Sequence, residues 1–422
     1  MDLSTIPIKK VAAGAAILIV AGAAGFGIYY LFFRAETPTP PSNELVNEIG
    51  GLPGIPTEPP TNQIVNEVPV NALPPTAALP QTVTKITVPE ETVSRVAQGG
   101  VTKVSTTFAN ISTGMAIPKG GNNPVTYNKA DGYFYQVDNL GNLSKLTSAR
   151  YPNVDNIAWS PDTTKAILEF PDGSNVMYDF RSQKQVTLPK SWQDFEFNDT
   201  GSKIAFKDIN TQLDYNWLAT ANPDGSQQKY IEALQDKSDR VQPNWSKSGH
   251  VVATYYKAAD STSTSIHLIG QNNENYRAIT SNGFGVQAKW VPDGKRVLYN
   301  AYSFDNNNKP MLHIVDAYGD KVGYNHNSLG INTWIDKCTF EGEETMYCAV
   351  PKYLPDHAGF QPSVADDIPD YIYKIDLKSG AKAIIAEPEL TYTIDSMEVS
   401  VDGKYLYFTD KATQNIHYIQ LK

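Results

Sequence analysis

The chain has 422 residues, a formal net charge of −10 and 11% aromatic residues, with 24 Tyr, 28 Pro and 29 Gly. Tyrosine, proline and glycine at these levels favour many short strands and turns over helices. The acidic balance excludes a nucleic-acid binder, which needs a basic face to replace phosphate counterions.

Residues 11–33 form a run of twenty-three positions without a charge. About twenty apolar residues suffice for a helix to cross the hydrocarbon core. Ala21-Gly22-Ala23 resembles a signal-peptide cleavage site, but the apolar run continues well past it. The apolar core of a cleaved signal is shorter, roughly 7–15 residues. The expected element is therefore an uncleaved transmembrane helix held in the lipid bilayer. Lys9 and Lys10 precede it, Arg34 follows it, and Glu36 is the next charged residue. This bias places residues 1–10 in the cytoplasm and the rest outside it, as in a single-pass cell-membrane protein.

Residues 34–95 read as a disordered linker. Twelve prolines fall within residues 35–90, with pairs at 40–41, 59–60 and 74–75. Residues 36–91 carry seven Glu against one Lys. Such a segment cannot bury enough surface to offset its ordering entropy and favours extended polyproline II. At about 3.1 Å per residue it spans on the order of 170 Å, which suits a spacer.

Residues 96–422 are expected to form one all-β repeat domain. Six segments share an aromatic or apolar residue, a polar turn and an apolar strand. They start at Trp159 (AWSPDTTKAILEF), Phe197, Trp245, Trp290 (KWVPDGKRVLYNAY), Phe340 and Val399. A shorter seventh copy is placed at Tyr127. The spacings of 32 to 59 residues match four-stranded propeller blades. Pro161-Asp162 and Pro292-Asp293-Gly294 suit tight turns, and no helix-length amphipathic run intervenes.

The W-S-P-D-x-x-K-x-I-x-F form resembles the propeller repeat of TolB-type periplasmic proteins and of the N-terminal domain of dipeptidyl peptidase IV-like proteins. The resemblance covers residues 123–422 and implies a β-propeller. Seven blades are expected, with six or eight also compatible with the spacing. The last copy supplies about three strands, so residues 101–105 or 113–118 are expected to complete the ring. In the peptidase relatives the hydrolase domain follows the propeller, so that activity is not expected here. TolB-type proteins carry an α/β domain before the propeller, and none is evident in this chain.

Cys338 and Cys348 are the two cysteines. A hairpin centred on Glu343 sets them opposite each other on one face, which suits a cross-strand disulfide in an oxidising space. Histidines 250, 267, 313, 326, 357 and 417 show no metal-binding spacing, and there is no G-x-S-x-G nucleophile elbow. The acidic turns 138–142 and 366–370 lack the spacing of an EF-hand loop. Neither a metal nor a cofactor is expected.

Two insertions break the repeat: residues 353–370 (YLPDHAGFQPSVADDIPD) and 304–310 (FDNNNKP). Long loops in compact repeats often carry function. The candidate binding residues are therefore Tyr353, His357, Phe360, Asp366, Asp367 and Asp370, with Phe304 and Asp305 from the second loop. The expected function is an anchored extracytoplasmic binding or scaffold module for an envelope protein, peptide or glycan. The alternative is a lyase or hydrolase whose site is assembled in the central channel from residues on separate blades.

Overall fold

The computed structural model describes residues 93–422, so the expected cytoplasmic tail, transmembrane helix and most of the linker lie outside the described residues. Seven sheets follow one another along the chain, and each is a blade whose own four strands are antiparallel. Blades 1 to 6 occupy residues 112–145, 156–188, 192–233, 241–282, 284–328 and 338–388, and blade 7 begins at residue 394. The first strand of each blade lies nearest the ring axis, and later strands step outwards.

The ring closes by an exchange between the two ends of the domain. Ser105–Phe108 pairs antiparallel with Ile416–Gln420, as the outermost strand of blade 7. Val101–Thr102 adds a parallel fifth strand to the edge of blade 6. The first expected closing segment is therefore divided between two blades. The other, 113–118, is instead the inner strand of blade 1, Ser112–Ala116.

The copy placed at Tyr127 also needs correction. Tyr127 lies in the second strand of blade 1, Val125–Asn128, so its turn is the hairpin between the second and third strands. The inner strand escaped the pattern because it ends in Met115-Ala116, with no aromatic residue before its hairpin. Gly114 has φ +63°, and an added Cβ there would lie 3.1 Å from Ile157 and 3.5 Å from Trp159 Nε1. That gap admits the indole of Trp159, whose Nε1 donates to the Gly114 carbonyl at 2.7 Å.

Trp290 repeats this contact, donating from Nε1 to the Asn244 carbonyl of blade 4 at 3.1 Å. Trp159 and Trp290 thus fasten neighbouring inner strands together, whereas the buried Nε1 of Trp245 has no such partner among the described residues. The serine that follows caps its own hairpin. Ser160 Oγ donates to Asp162 and accepts from the Lys165 N–H at 2.9 Å, and Ser400 treats Asp402 and Tyr405 alike.

Seven apolar clusters lie between neighbouring blades and form the core. The second strands are buried on both faces because each blade is covered by the next. Ile204–Asp208, for example, is buried at every position. Burying one such Ile, Leu or Phe side chain contributes about 1.5–3 kcal/mol.

Cys338 faces Cys348 across the first hairpin of blade 6, with Cα atoms 4.1 Å apart and the sulfurs bonded. Both are fully buried. The sequence separation is 10 residues, and closing a loop of that size stabilises a fold by about 2–3 kcal/mol in the chain-entropy view. Thiol blocking of unreduced protein followed by mass spectrometry should find the peptides linked. The C338A/C348A double variant should unfold at lower urea concentration by a corresponding amount.

Candidate functional site

Two kinds of connection share one face of the ring: those between second and third strands, and those that lead into the next blade. Both insertions lie on this face. Residues 303–309 join Arg296–Tyr302 to Pro310–Asp316 in blade 5, and residues 352–369 join Thr345–Pro351 to Asp370–Asp376 in blade 6.

The two loops are bonded to one another. The backbone N–H groups of His357 and Gly359 donate to the carbonyls of Asn307 and Asn308, both at 2.8 Å. The side chains of Asn308 and His357 meet at 3.0 Å, and Lys309 pairs with Asp356 at 3.1 Å. Asn307 and Asn308 both have positive φ, 51° and 53°, a region asparagine tolerates better than most residues. At Gly359 a Cβ would fall 2.4 Å from Tyr302 and 2.6 Å from the Asn308 carbonyl. Only glycine lets the blade 6 loop lie against blade 5 there.

This docking exposes aromatic surface. Phe304 is 72% and Phe360 57% exposed, and Phe360 stands 4.7 Å from the Tyr302 ring. Phe284, Phe304 and Phe360 line a small cavity of about 120 Å³, with Asp305 at its edge. Beside it, between blades 5, 6 and 7, lies a cavity of about 370 Å³ lined by Gln287, Tyr302, Trp334, Asp336 and Asp395 among others.

The residues singled out from the two insertions fall into four groups. Phe304, Asp305 and Phe360 come together on the aromatic surface, and His357 holds the loops in place. Asp366 pairs with Lys411 of blade 7 at 2.6 Å, closing one side of the larger cavity, and Asp367 is exposed. Tyr353 points away, 67% exposed, over a separate groove shared with Lys352 and Lys382.

Asp370 belongs to the fold rather than to the surface. It is buried and binds Lys337 at 2.7 and 2.8 Å, and it accepts the Ile394 N–H at 2.7 Å. A carboxylate so enclosed is not available to a partner. The acidic turn at Asp138 is likewise self-satisfied, accepting from Leu140 and Asn142 N–H at 2.9 and 2.8 Å. Among the described residues no cluster of three or more His, Cys, Asp or Glu side chains is placed to hold a metal ion.

The central channel carries a second set of groups. Glu196, Asn244 and Lys289 line an axial cavity of about 560 Å³ that shares Gln287 and Asp336 with the cavity above. Protein surrounds Glu196 on every side, although it keeps some contact with channel water. Burial pushes its carboxyl up to about 7, against the pull of the Trp245 N–H, Lys247 and Lys289. Burial also raises Glu398, with Lys289, Thr339 and Lys247 acting in the opposite direction. Lys289 donates to the Cys338 carbonyl at 3.2 Å, leaving donors free for the channel.

The raised carboxyl has a consequence for stability. In the folded state Glu196 holds its proton up to about pH 7, whereas an unfolded Glu releases it near pH 4.3. Its contribution is thus lost as pH rises through that window and stays unfavourable above it. E196Q should stabilise the protein at pH 8 by about 1–2 kcal/mol, after allowance for channel water, and by almost nothing at pH 4. Urea unfolding at the two pH values measures this difference.

These channel residues were not anticipated individually, yet they have a sequence signal. Glu196, Asn244, Lys289 and Glu398 each stand immediately before the aromatic or apolar residue that opens a repeat. Strand alternation turns that position towards the axis when its neighbour packs between blades.

No family model and no curated protein matches the chain. Solved propellers do. The β-propeller domain of Myceliophteria thermophila Cps50 (Swd1) is similar at 11% identity and TM-score 0.50, over 76% of this chain and 100% of that one. A chain of the mitotic checkpoint complex is similar at 13% identity and TM-score 0.51, over 85% and 99%. Tricorn protease is similar at 9% identity and TM-score 0.50, with 76% of this chain covered and 34% of the protease. This chain therefore spans about a third of the protease. Residues 93–422 form a seven-bladed β-propeller. Likenesses at these identities concern architecture and leave function to the site.

Proposed function

We propose that the protein is a membrane-anchored, extracytoplasmic binding or scaffold module that presents its insertion face to an envelope protein, peptide or glycan. The observation that carries the reading is the union of the two insertions into one surface, with Phe304 and Phe360 exposed beside a cavity of about 370 Å³. Exposed aromatics next to a concave, partly polar site are what a recognition surface requires. The uncharged run 11–33, with Lys9 and Lys10 before it, supports the anchor and its orientation. The proline-rich linker supports a role at a distance from the bilayer. The TolB-type repeat form agrees with an envelope setting.

The test is capture of partners by cross-linking in intact cells that carry the tagged full chain. F304A/F360A should lower the yield of the specific adducts several-fold while the protein stays folded. An unchanged adduct profile would remove this face from the function. Replacing the whole 353–370 loop is a poorer test, because it also removes the buried Asp370.

A second reading is favoured by Glu196. A carboxyl that titrates near neutrality beside Lys289, in an enclosed channel, has the properties of an acid–base group. Under that reading the chain is a lyase or hydrolase, and E196Q abolishes turnover while leaving partner capture unchanged.

A further inference from the structure

We propose that the cavity between blades 5, 6 and 7 receives a basic side chain of an extended peptide, whose neighbouring apolar side chain enters the aromatic pocket beside it. This rests on the reading of the insertion face as a recognition surface, and it specifies the chemistry of the ligand.

Four of the charged groups around the cavity neutralise each other in pairs: Lys337 with Asp370, and Lys411 with Asp366. Asp336 and Asp395 remain. Both are exposed to the cavity, and among the described residues neither meets a Lys or Arg at ion-pair distance. Lys289 attracts Asp336 and Lys337 attracts Asp395, but neither cation reaches ion-pair distance of its carboxylate. Two carboxylates that repel one another in a confined space favour a cation between them, because it relieves the repulsion as well as adding attraction.

The walls narrow the cation to an organic one. The cavity is also lined by the rings of Trp334 and Tyr302, which suit the flat guanidinium or the methylene stem of Arg or Lys. The exposed amide of Gln287 supplies a further hydrogen-bonding group.

The aromatic pocket is separated from this cavity by Tyr302 and Phe360, whose rings are 4.7 Å apart. Its volume of about 120 Å³ and its lining by Phe284, Phe304 and Phe360 suit one aliphatic side chain. A neutral sugar can stack its C–H face on these rings, but it leaves the two carboxylates uncompensated. The protein's own linker is an unsuitable occupant, since residues 36–91 carry seven Glu and one Lys. A second copy, at net charge −10, is disfavoured on the same ground.

The test uses the full chain in nanodiscs and fluorescein-labelled hexapeptide pools with one position fixed in turn as Arg, Lys, norleucine or Glu. Pools fixed as Arg or Lys should bind about tenfold more tightly than those fixed as norleucine or Glu. That preference should shrink at high salt. D336N/D395N should erase it, and F304A/F360A should weaken every pool. Circular dichroism and melting should show both variants folded, as all four side chains are exposed. Equal binding of all pools, weakened only by F304A/F360A, would overturn the charge assignment and leave a peptide-binding face standing. Binding of neutral oligosaccharides in place of every peptide pool would overturn the inference and leave the glycan form of the wider reading. No peptide binding, with cellular adducts still dependent on Phe304 and Phe360, would overturn it as well.

Discussion

Replacing Asp370 with Ala is expected to destabilise the propeller by about 3–5 kcal/mol, because it leaves the Lys337 ammonium buried without its partner. The Lys337 side chain is 9% exposed and that of Asp370 is 0% exposed. Burial drives Asp370 up and Lys337 down from their ordinary values, and each is opposed by the other's charge. With both carboxylate oxygens within 2.8 Å of the ammonium and the Ile394 N–H donating to one of them, the ionised pair is the state the geometry supports. K337M should cost a comparable amount. The double variant K337M/D370L should cost much less than the sum of the single changes, since no charge is left unpaired. Urea unfolding followed by tryptophan fluorescence reads all three. The pair also joins blade 6 to the first strand of blade 7, so its loss should disturb the Asp366–Lys411 contact and the cavity wall.

The second large effect is expected at the ring closure. Phe108 is 1% exposed and packs with Val137, Tyr407 and Ile416 between blades 7 and 1. F108A should cost about 3–5 kcal/mol, combining lost burial with a cavity that rigid strands fill poorly. Hydrogen exchange should rise first in Ile416–Gln420, whose outer partner is the strand carrying Phe108. Deleting residues 105–108 outright should expose that edge and give concentration-dependent dimers by strand pairing, visible in gel filtration. By contrast, F304A at the exposed aromatic surface should leave stability within about 0.5 kcal/mol.

The propeller was legible in the sequence because each repeat encodes a local structure. The Trp at the end of an inner strand, the serine that caps the hairpin and the doubly buried strand after it all rest on contacts within or next to one blade. Blade 1 was placed one strand late because its inner strand ends in Met115-Ala116 with no aromatic residue before the hairpin, and Gly114 there makes room for Trp159. The closing strand escaped because its partner lies more than 300 residues away, and nothing local marks Ser105–Phe108 for Ile416–Gln420. At the candidate site, both insertions stood out by length. Their docking depends on Gly359 fitting against Tyr302 and on Asn307 and Asn308 turning left-handed, which no spacing displays. Asp370 read as a surface acid because it ends a long insertion that also holds Asp366 and Asp367, whereas its place is set by Lys337, 33 positions earlier. Asp336 and Asp395 each open or precede an inner strand, and only the closed ring brings them to one cavity.

The most direct measurement of the central claim is photo-cross-linking in intact cells, with a benzophenone amino acid placed at one position at a time. Phe360 and Phe304 report the insertion face, and the exposed Leu140 and Val401 report the opposite face. Phe360 and Phe304 should give specific adducts, and Leu140 and Val401 only background levels. Adducts of equal or greater yield from the opposite face would contradict that claim.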